Sequence, residues 1–142
     1  MKKIITSLMV GCFILTNAAL ALAANNSVPP FEGQQETIGN HLAILSGGVG
    51  LSERQQMDQM AKGYNLKLIF DVPNGDYLSN VMVTIQNPQG HVLFHNVAEG
   101  PWFYAKLPAG TYTVKAYFDG HTIVRKVKVD HETRDVIMTW SV

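Results

Sequence analysis

The chain has little charge and no excess of either sign, since 15% of its 142 residues are charged and 11 basic residues balance 11 acidic ones. Proteins whose main partner is nucleic acid carry a basic excess, which is absent here. Cysteine is nearly absent too, with Cys12 as the single example. The hydrophobic fraction of 46% is nevertheless ample for a folded core, and the length favours one domain.

The N-terminal residues have the pattern of a secretory signal peptide. Two lysines follow Met1, residues 4–15 are almost entirely apolar, and the small residues Ala21 and Ala23 fit the site that signal peptidase recognises. The apolar run is shorter than the roughly 20 residues that a retained membrane span needs. We therefore expect residues 1–23 to be removed by cleavage after about Ala23, which gives a periplasmic or secreted protein.

Removal of this segment would also remove Cys12, so the mature chain would have neither a disulfide nor a thiol nucleophile. Its stability would then depend on the hydrophobic core. Gly11 and Cys12 resemble the end of a lipoprotein box, and lipidation of Cys12 is therefore the alternative.

Residues 24–63 predict an arm, a glycine-rich loop and a short helix. Residues 25–40 are polar and interrupted by Pro and Gly, which is typical of a mobile arm. Residues 41–45 are apolar and fit an extra edge strand. The stretch 46–50 contains three glycines but lacks the Lys-Ser/Thr pair of a phosphate-binding loop, so we expect a flexible connector there.

The sequence Ser-Glu-Arg-Gln at residues 52–55 has the form of a capping box, which marks the start of a helix. Gly63 fits the left-handed position that ends one. The apolar residues between them share one helical face: Met57, Met60 and Ala61. We expect this helix to pack over one end of the core, and the alternative is that it presents Glu53 and Arg54 to a partner.

From Tyr64 onward apolar and polar residues alternate with a period of two, which predicts strands. Turn motifs divide this region into seven strands, at residues 64–72, 81–85, 91–97, 102–107, 111–118, 121–129 and 134–141. Asp119-Gly120 is typical of a two-residue hairpin turn. The fold class predicted is therefore all-β, a seven-stranded antiparallel β-sandwich over residues 64–142 with one short helix before it.

Turn and core residues of this region resemble those of a known domain family. The motif Gly75-Asp76-Tyr77-Leu78 and the motif Leu107-Pro108-Ala109-Gly110-Thr111-Tyr112 look like those of a carboxypeptidase regulatory-like domain, which is related to transthyretin-like and collagen-adhesin B-type sandwiches. The resemblance covers residues 64–129 and implies a fold rather than an activity. A longer run, residues 46–102, is similar to small uncharacterised exported bacterial proteins.

The sequence offers no motif for catalysis. His91 and His95 are four residues apart, which is about 13 Å on a strand and too far for one metal ion. No nucleophile elbow and no paired carboxylates are evident. We therefore expect no enzyme activity, no metal and no cofactor. The alternative is a metal-dependent enzyme whose histidine ligands come from separate loops.

Three aromatic residues stand in a row at Trp102, Phe103 and Tyr104, so at least one of them must face away from the core. An outward aromatic ring suits a sugar or a protein interface. Otherwise it packs under the N-terminal arm or the helix. We take Trp102 and Tyr104 as candidate binding residues.

A second candidate surface lies on the hairpin around Asp119-Gly120. Lys126 and Lys128 occupy outward positions there together with Lys115, and they either protect a sheet edge from aggregation or bind an anionic partner. The hairpin register places Arg125 opposite Val114 on the apolar face. Arg125 is then buried with a carboxylate, snorkels at the end of the sandwich, or is displaced by a bulge.

These features together predict a non-catalytic, exported binding module of the bacterial envelope. Its candidate site residues are Trp102, Tyr104, Lys126 and Lys128. The expected partner is an envelope protein or a glycan, with no nucleic acid and no retained membrane span. A carbohydrate-binding accessory module is the first alternative function, and the sequence leaves the partner's identity and the oligomeric state open.

Overall fold

The computed structural model describes residues 30–39 and 42–142. The expected signal peptide, its cleavage site and Cys12 lie outside these residues. In chain order the described elements are β1 (Gln34–Ile38), β2 (Leu42–Gly47), α1 (Leu51–Met60), β3 (Leu66–Asp71), β4 (Met82–Gln86), β5 (Val92–Val97), β6 (Trp102–Lys106), β7 (Gly110–Phe118), β8 (His121–Val129) and β9 (Arg134–Thr139).

The nine strands form two sheets that pack face to face. One sheet has the strand order β1-β2-β6-β3-β9, and the other has the order β5-β4-β7-β8. The core between them is built from the alternating apolar residues, and Phe70, Ile85 and Phe103 in it are fully buried. A second, smaller cluster joins α1 to the outer face of the five-stranded sheet. The layers are therefore helix, five-stranded sheet and four-stranded sheet.

The all-β prediction is confirmed, and each of the seven expected strands is present as β3 to β9. The expected strand count is wrong, because β1 and β2 extend the sheet ahead of them. β1 lies where a mobile arm was expected, and β2 covers the apolar stretch expected as an edge strand. β2 is not an edge, since β1 pairs along one side of it and β6 along the other.

The expected antiparallel arrangement fails at the last strand. β9 runs parallel to β3, with Leu66 opposite Arg134 and Asp71 opposite Thr139. The chain leaves the four-stranded sheet at the end of β8 and crosses to the other sheet, where it enters beside β3 in the same direction. Beyond β9, the indole of Trp140 donates a hydrogen bond to the His121 carbonyl at 3.2 Å and so ties the two sheets together.

The helix begins two residues earlier than the capping box predicts. Gly50 is the N-cap residue and makes no side-chain cap bond, which places Ser52 inside the helix. The Glu53 carboxylate instead accepts the Val49 amide at 3.0 Å. The predicted apolar face is correct, because Met57 is fully buried. Gly63 has a φ of +87°, as expected for the residue that follows a helix in the left-handed conformation.

The glycine-rich stretch connects β2 to α1, and its first part is packed, since residues 46–48 are buried whereas residues 49–50 are exposed. Ser46 is fully buried and accepts the Glu99 amide at 3.0 Å. The Arg54 guanidinium donates to the Gly48 carbonyl at 2.9 Å. A side chain at Gly100 would collide with the backbone of Gly47, so close approach of two backbones explains glycine here.

Asn65 is a buried polar residue whose side chain is fully hydrogen-bonded. Its amide nitrogen donates to the Leu107 carbonyl at 2.7 Å and to the Asp130 carbonyl at 2.9 Å. Its side-chain oxygen accepts the Leu107 amide at 2.9 Å. One side chain therefore joins the start of β3 to the end of β6 and to the loop that carries the chain from β8 to β9.

We expect Asn65→Ala to lower the free energy of unfolding by about 3 kcal/mol, because it leaves buried backbone groups without partners. Urea unfolding followed by tryptophan fluorescence measures this change. Gln89→Ala, in the exposed turn before β5, is the control and should change the stability by less than about 0.5 kcal/mol. A loss no larger than that of the control would contradict the role assigned to Asn65.

Candidate functional site

The four candidate binding residues lie on different sheets. Trp102 and Tyr104 belong to β6 in the five-stranded sheet, whereas Lys126 and Lys128 belong to β8 in the four-stranded sheet. They therefore do not form one site, and each pair is described by itself.

The aromatic row alternates across its sheet as a strand requires. Phe103 is fully buried in the core between the sheets. Trp102 and Tyr104 point to the outer face and pack with α1, as the second interpretation of the sequence expected. Tyr104 is 3% exposed, and its hydroxyl donates to an Asp58 carboxylate oxygen at 2.7 Å. Tyr104 is thus covered by the helix and is not open to a ligand.

Two cations hold the half-buried Trp102 ring. The Lys67 ammonium lies 3.6 Å from the ring centroid, and the Arg54 guanidinium lies 5.7 Å from it. Lys67 also pairs with Asp58 at 3.7 Å. Cation–π contacts of this kind contribute about 0.5–2 kcal/mol each. Among the described residues nothing accepts a hydrogen bond from the Trp102 indole nitrogen, which is buried. Through its contact with Arg54 of α1, the Trp102 ring helps to attach the helix to the sheet.

The surroundings of Tyr104 favour its neutral form. Burial raises the pKa of Tyr104 well above the ordinary value, and the hydrogen bond and the negative charge of Asp58 raise it further. Burial also raises the pKa of Tyr64 and of Tyr112, whose hydroxyl donates to the Pro108 carbonyl at 2.6 Å. The folded protein therefore binds these phenolic protons more strongly than the unfolded chain does.

The outer face of the four-stranded sheet is not covered by any element of the described part of the chain. Inward residues of β7 such as Val114 and Ala116 are fully buried, so the residues that alternate with them face solvent. We call this surface the open face. Its members are Met82, Thr84, Gln86, Val92, His95, Val97, Thr111, Thr113, Lys115, Tyr117, Thr122, Val124, Lys126 and Lys128.

Positive charge on the open face has no counter-charge within the sheet. The four strands β4, β5, β7 and β8 contain no Asp or Glu. Lys115, Lys126 and Lys128 make no ion pair with any other described residue, in contrast to Lys67 with its Asp58. The nearest acidic residues in sequence lie outside the strands, at Asp119 in the turn after β7 and at Asp130 directly after β8.

The register places the three lysines close together. Lys126 lies opposite Thr113, so Lys115 is its diagonal neighbour at about 7–8 Å between their backbones. Lys128 follows Lys126 on the same face at about 7 Å. The basic stripe expected on this hairpin is therefore present as a line that crosses from β7 to β8.

The hairpin that carries this stripe has the predicted register. Asp119 and Gly120 both have positive φ, at 44° and 79°, and Phe118 pairs with His121. Arg125 lies opposite Val114 as expected, without a bulge, and it is exposed. Because β8 is an edge strand, the Arg125 side chain reaches solvent, where its guanidinium donates to the Val124 carbonyl at 3.1 Å.

Sequence reasoning missed three exposed hydrophobic residues of the open face. Val92 is 54% exposed, Tyr117 is 51% exposed and Val124 is 50% exposed. The alternation of inward and outward residues along β7 predicts the exposure of Tyr117, because its neighbours Ala116 and Phe118 point inward.

The histidines of the described chain are dispersed. His95 hydrogen-bonds with the Thr84 hydroxyl at 2.7 Å on the open face, and His121 contacts the Asp119 carbonyl at 2.9 Å. Within residues 30–39 and 42–142, no three His, Cys, Asp or Glu side chains come together as metal ligands would. No helix in the same ranges has the length and apolar character to cross a membrane.

Comparison with known proteins assigns no family. Neither the protein-family models nor the curated proteins contain a match to this chain.

We expect the stability to fall above about pH 10, because tyrosines of the unfolded chain then ionise while the buried ones still hold their protons. Each such tyrosine contributes a slope of about 1.4 kcal/mol per pH unit between its unfolded and folded pKa. Tyr104→Phe should make the decline shallower, and Tyr117→Phe, at an exposed ring, is the matched control. Urea unfolding across this pH range measures the slope. Equal slopes in the two variants would contradict the assignment.

Proposed function

We propose that the protein is a non-catalytic binding module of the bacterial envelope that holds an anionic partner against its open face. The observation that carries this proposal is the group formed by Lys115, Lys126 and Lys128 on a sheet without carboxylates. Export is part of the proposal and rests on the N-terminal sequence pattern. Membership of the carboxypeptidase regulatory-like family is proposed from the resemblance of its turn and core motifs, and it bears on the fold alone.

Folding alone does not account for the lysine group. Like charges repel, so lysines at diagonal positions and on the same strand add nothing to the stability of the sheet. Protection of a sheet edge explains lysines on β8, which is an edge strand. It does not explain Lys115, because β7 lies between β4 and β8. A partner that carries negative charge supplies the counter-charges that the sheet lacks.

The shape of the surface supports a binding role as well. The open face mixes polar and basic side chains with the apolar side chains of valine and methionine, and threonine hydroxyls stand beside the lysines at Thr113 and Thr84. Such a face offers hydrogen-bond donors and charge without enclosing a ligand. Recognition on it depends on electrostatic complementarity, which weakens as the salt concentration rises.

Charge reversal tests the face directly. We expect Lys126→Glu combined with Lys128→Glu to reduce retention of the purified protein on isolated cell envelopes by about tenfold or more at low salt. The control, Lys62→Glu with Lys106→Glu, makes the same change of net charge at exposed residues off the open face. Co-sedimentation with envelope fragments measures retention. Equal losses in both double variants, or no retention of the unmodified protein, would overturn the proposal.

Photo-crosslinking in intact cells tests the same face without changing a charge. A photo-reactive amino acid replaces Val124 on the open face or Ile137 on the outer side of β9, which are 50% and 57% exposed. We expect crosslinked products from position 124 and not from position 137. A discrete protein band would identify an envelope protein, and a diffuse product would identify a polymer. Products from position 137 alone would contradict the proposal.

A further inference from the structure

The open face carries an exposed aromatic ring next to its lysines. Tyr117 lies between Met82 of β4 and Thr122 of β8, and it is 51% exposed. Lys115 is the next outward residue on β7, about 7 Å away. Tyr117, Lys115, Lys126 and Lys128 thus form one line across two strands, which we call the Tyr–Lys track.

Neighbours of the track add hydrogen-bonding groups and little apolar area. Hydroxyls lie beside it at Thr113 and Thr122, and Val124, half exposed, lies opposite Lys115. The Tyr117 ring can stack on an apolar ring face of a ligand, and the threonine hydroxyls can hydrogen-bond with ligand hydroxyls. The lysines can pair with negative charges that repeat along the ligand. Sugars with carboxylate groups have all three properties.

We propose that the ligand of the open face is an acidic polysaccharide, with Tyr117 stacked on a sugar ring and Lys115, Lys126 and Lys128 bound to its carboxylates. This inference rests on the proposed function and names the partner's chemistry. Successive cations about 7 Å apart engage successive acidic units of an extended chain. Because the contacts are linked through one polymer, weak individual contacts add to a useful affinity.

The same residues fit other anionic partners less well. A membrane surface favours a large contiguous apolar patch for insertion. On the open face the exposed apolar residues are Tyr117, its neighbour Val124, and Val92, which β4 separates from β7. Single-stranded nucleic acid is held by several aromatic rings that stack successive bases. Tyr117 is the one aromatic residue among the outward positions of the described open face.

The test uses four probes with the full mature protein. They are polygalacturonate, the same polymer with its carboxylates methyl-esterified, vesicles containing phosphatidylglycerol, and a single-stranded DNA oligonucleotide. We expect binding to polygalacturonate in affinity electrophoresis, and at least about tenfold weaker binding to the esterified polymer, because esterification removes the charge and retains the rings. Tighter binding to vesicles or DNA than to polygalacturonate would overturn the inference.

Matched variants test the track itself. We expect Tyr117→Ala to weaken polygalacturonate binding by roughly fivefold or more, and Lys115→Gln with Lys126→Gln to weaken it further. Tyr77→Ala is the control, since Tyr77 is 48% exposed but lies near Arg54 on the other side of the protein. Equal effects of Tyr117→Ala and Tyr77→Ala would refute stacking at Tyr117. Circular dichroism confirms that each variant is folded.

The outcome also separates this inference from the proposed function. If Lys126→Glu with Lys128→Glu abolishes envelope retention but polygalacturonate does not bind, the open face binds an anionic partner that is not an acidic sugar polymer. In that case this inference fails and the proposed function stands. If neither envelopes nor polygalacturonate bind, both fail.

Discussion

The contact between α1 and the five-stranded sheet determines which surface of the protein is free. Tyr104 donates to Asp58, Lys67 lies between Asp58 and the Trp102 ring, and Met57 fills the space beneath. With these contacts the helix covers the outward aromatic residues of one sheet, and the Tyr104 hydroxyl and the Trp102 ring make their contacts within the fold. The other sheet has no such cover in the described chain, so its outward side chains meet solvent.

Because the helix covers only one sheet, the residues that stabilise the fold and the residues open to a partner lie on different surfaces. Inward residues of β7, such as Val114 and Ala116, are fully buried and supply packing energy. Outward residues of the same strand, Lys115 and Tyr117, supply little of it. Substitutions on the open face should therefore change binding without unfolding the sheet, whereas substitutions beneath the helix change stability first. For this reason Trp102 is a poor probe of ligand binding in this protein, although it is a prominent aromatic residue in the sequence.

Much of the fold was predictable because strand alternation and turn chemistry are local signals. Asp119-Gly120 determined the register of β7 and β8, and with it the position of Arg125. β1 was missed because its residues are mostly polar and its pairing with β2 is made by backbone groups. The parallel pairing of β9 and the position of α1 depend on contacts distant in sequence, which no local pattern encodes. The lysines of the open face were found by alternation, and the same rule applied to Tyr117 would have completed the track.

The glycine-rich stretch shows how a composition typical of anion binding can serve the fold instead. The Val49 amide, which would point at a phosphate in such a loop, donates to the Glu53 carboxylate, and the Gly48 carbonyl accepts from Arg54. The chain thus supplies its own anion at the start of α1.

On the open face the chain supplies no such counter-charge, since the sheet that carries the lysines contains no carboxylate. A small anion would gain little there, because a lysine is a strongly hydrated charge and a flat face excludes little water. An extended polymer meets several such charges at once, and a flat line of cations is therefore suited to a chain of acidic units rather than to a single small ligand.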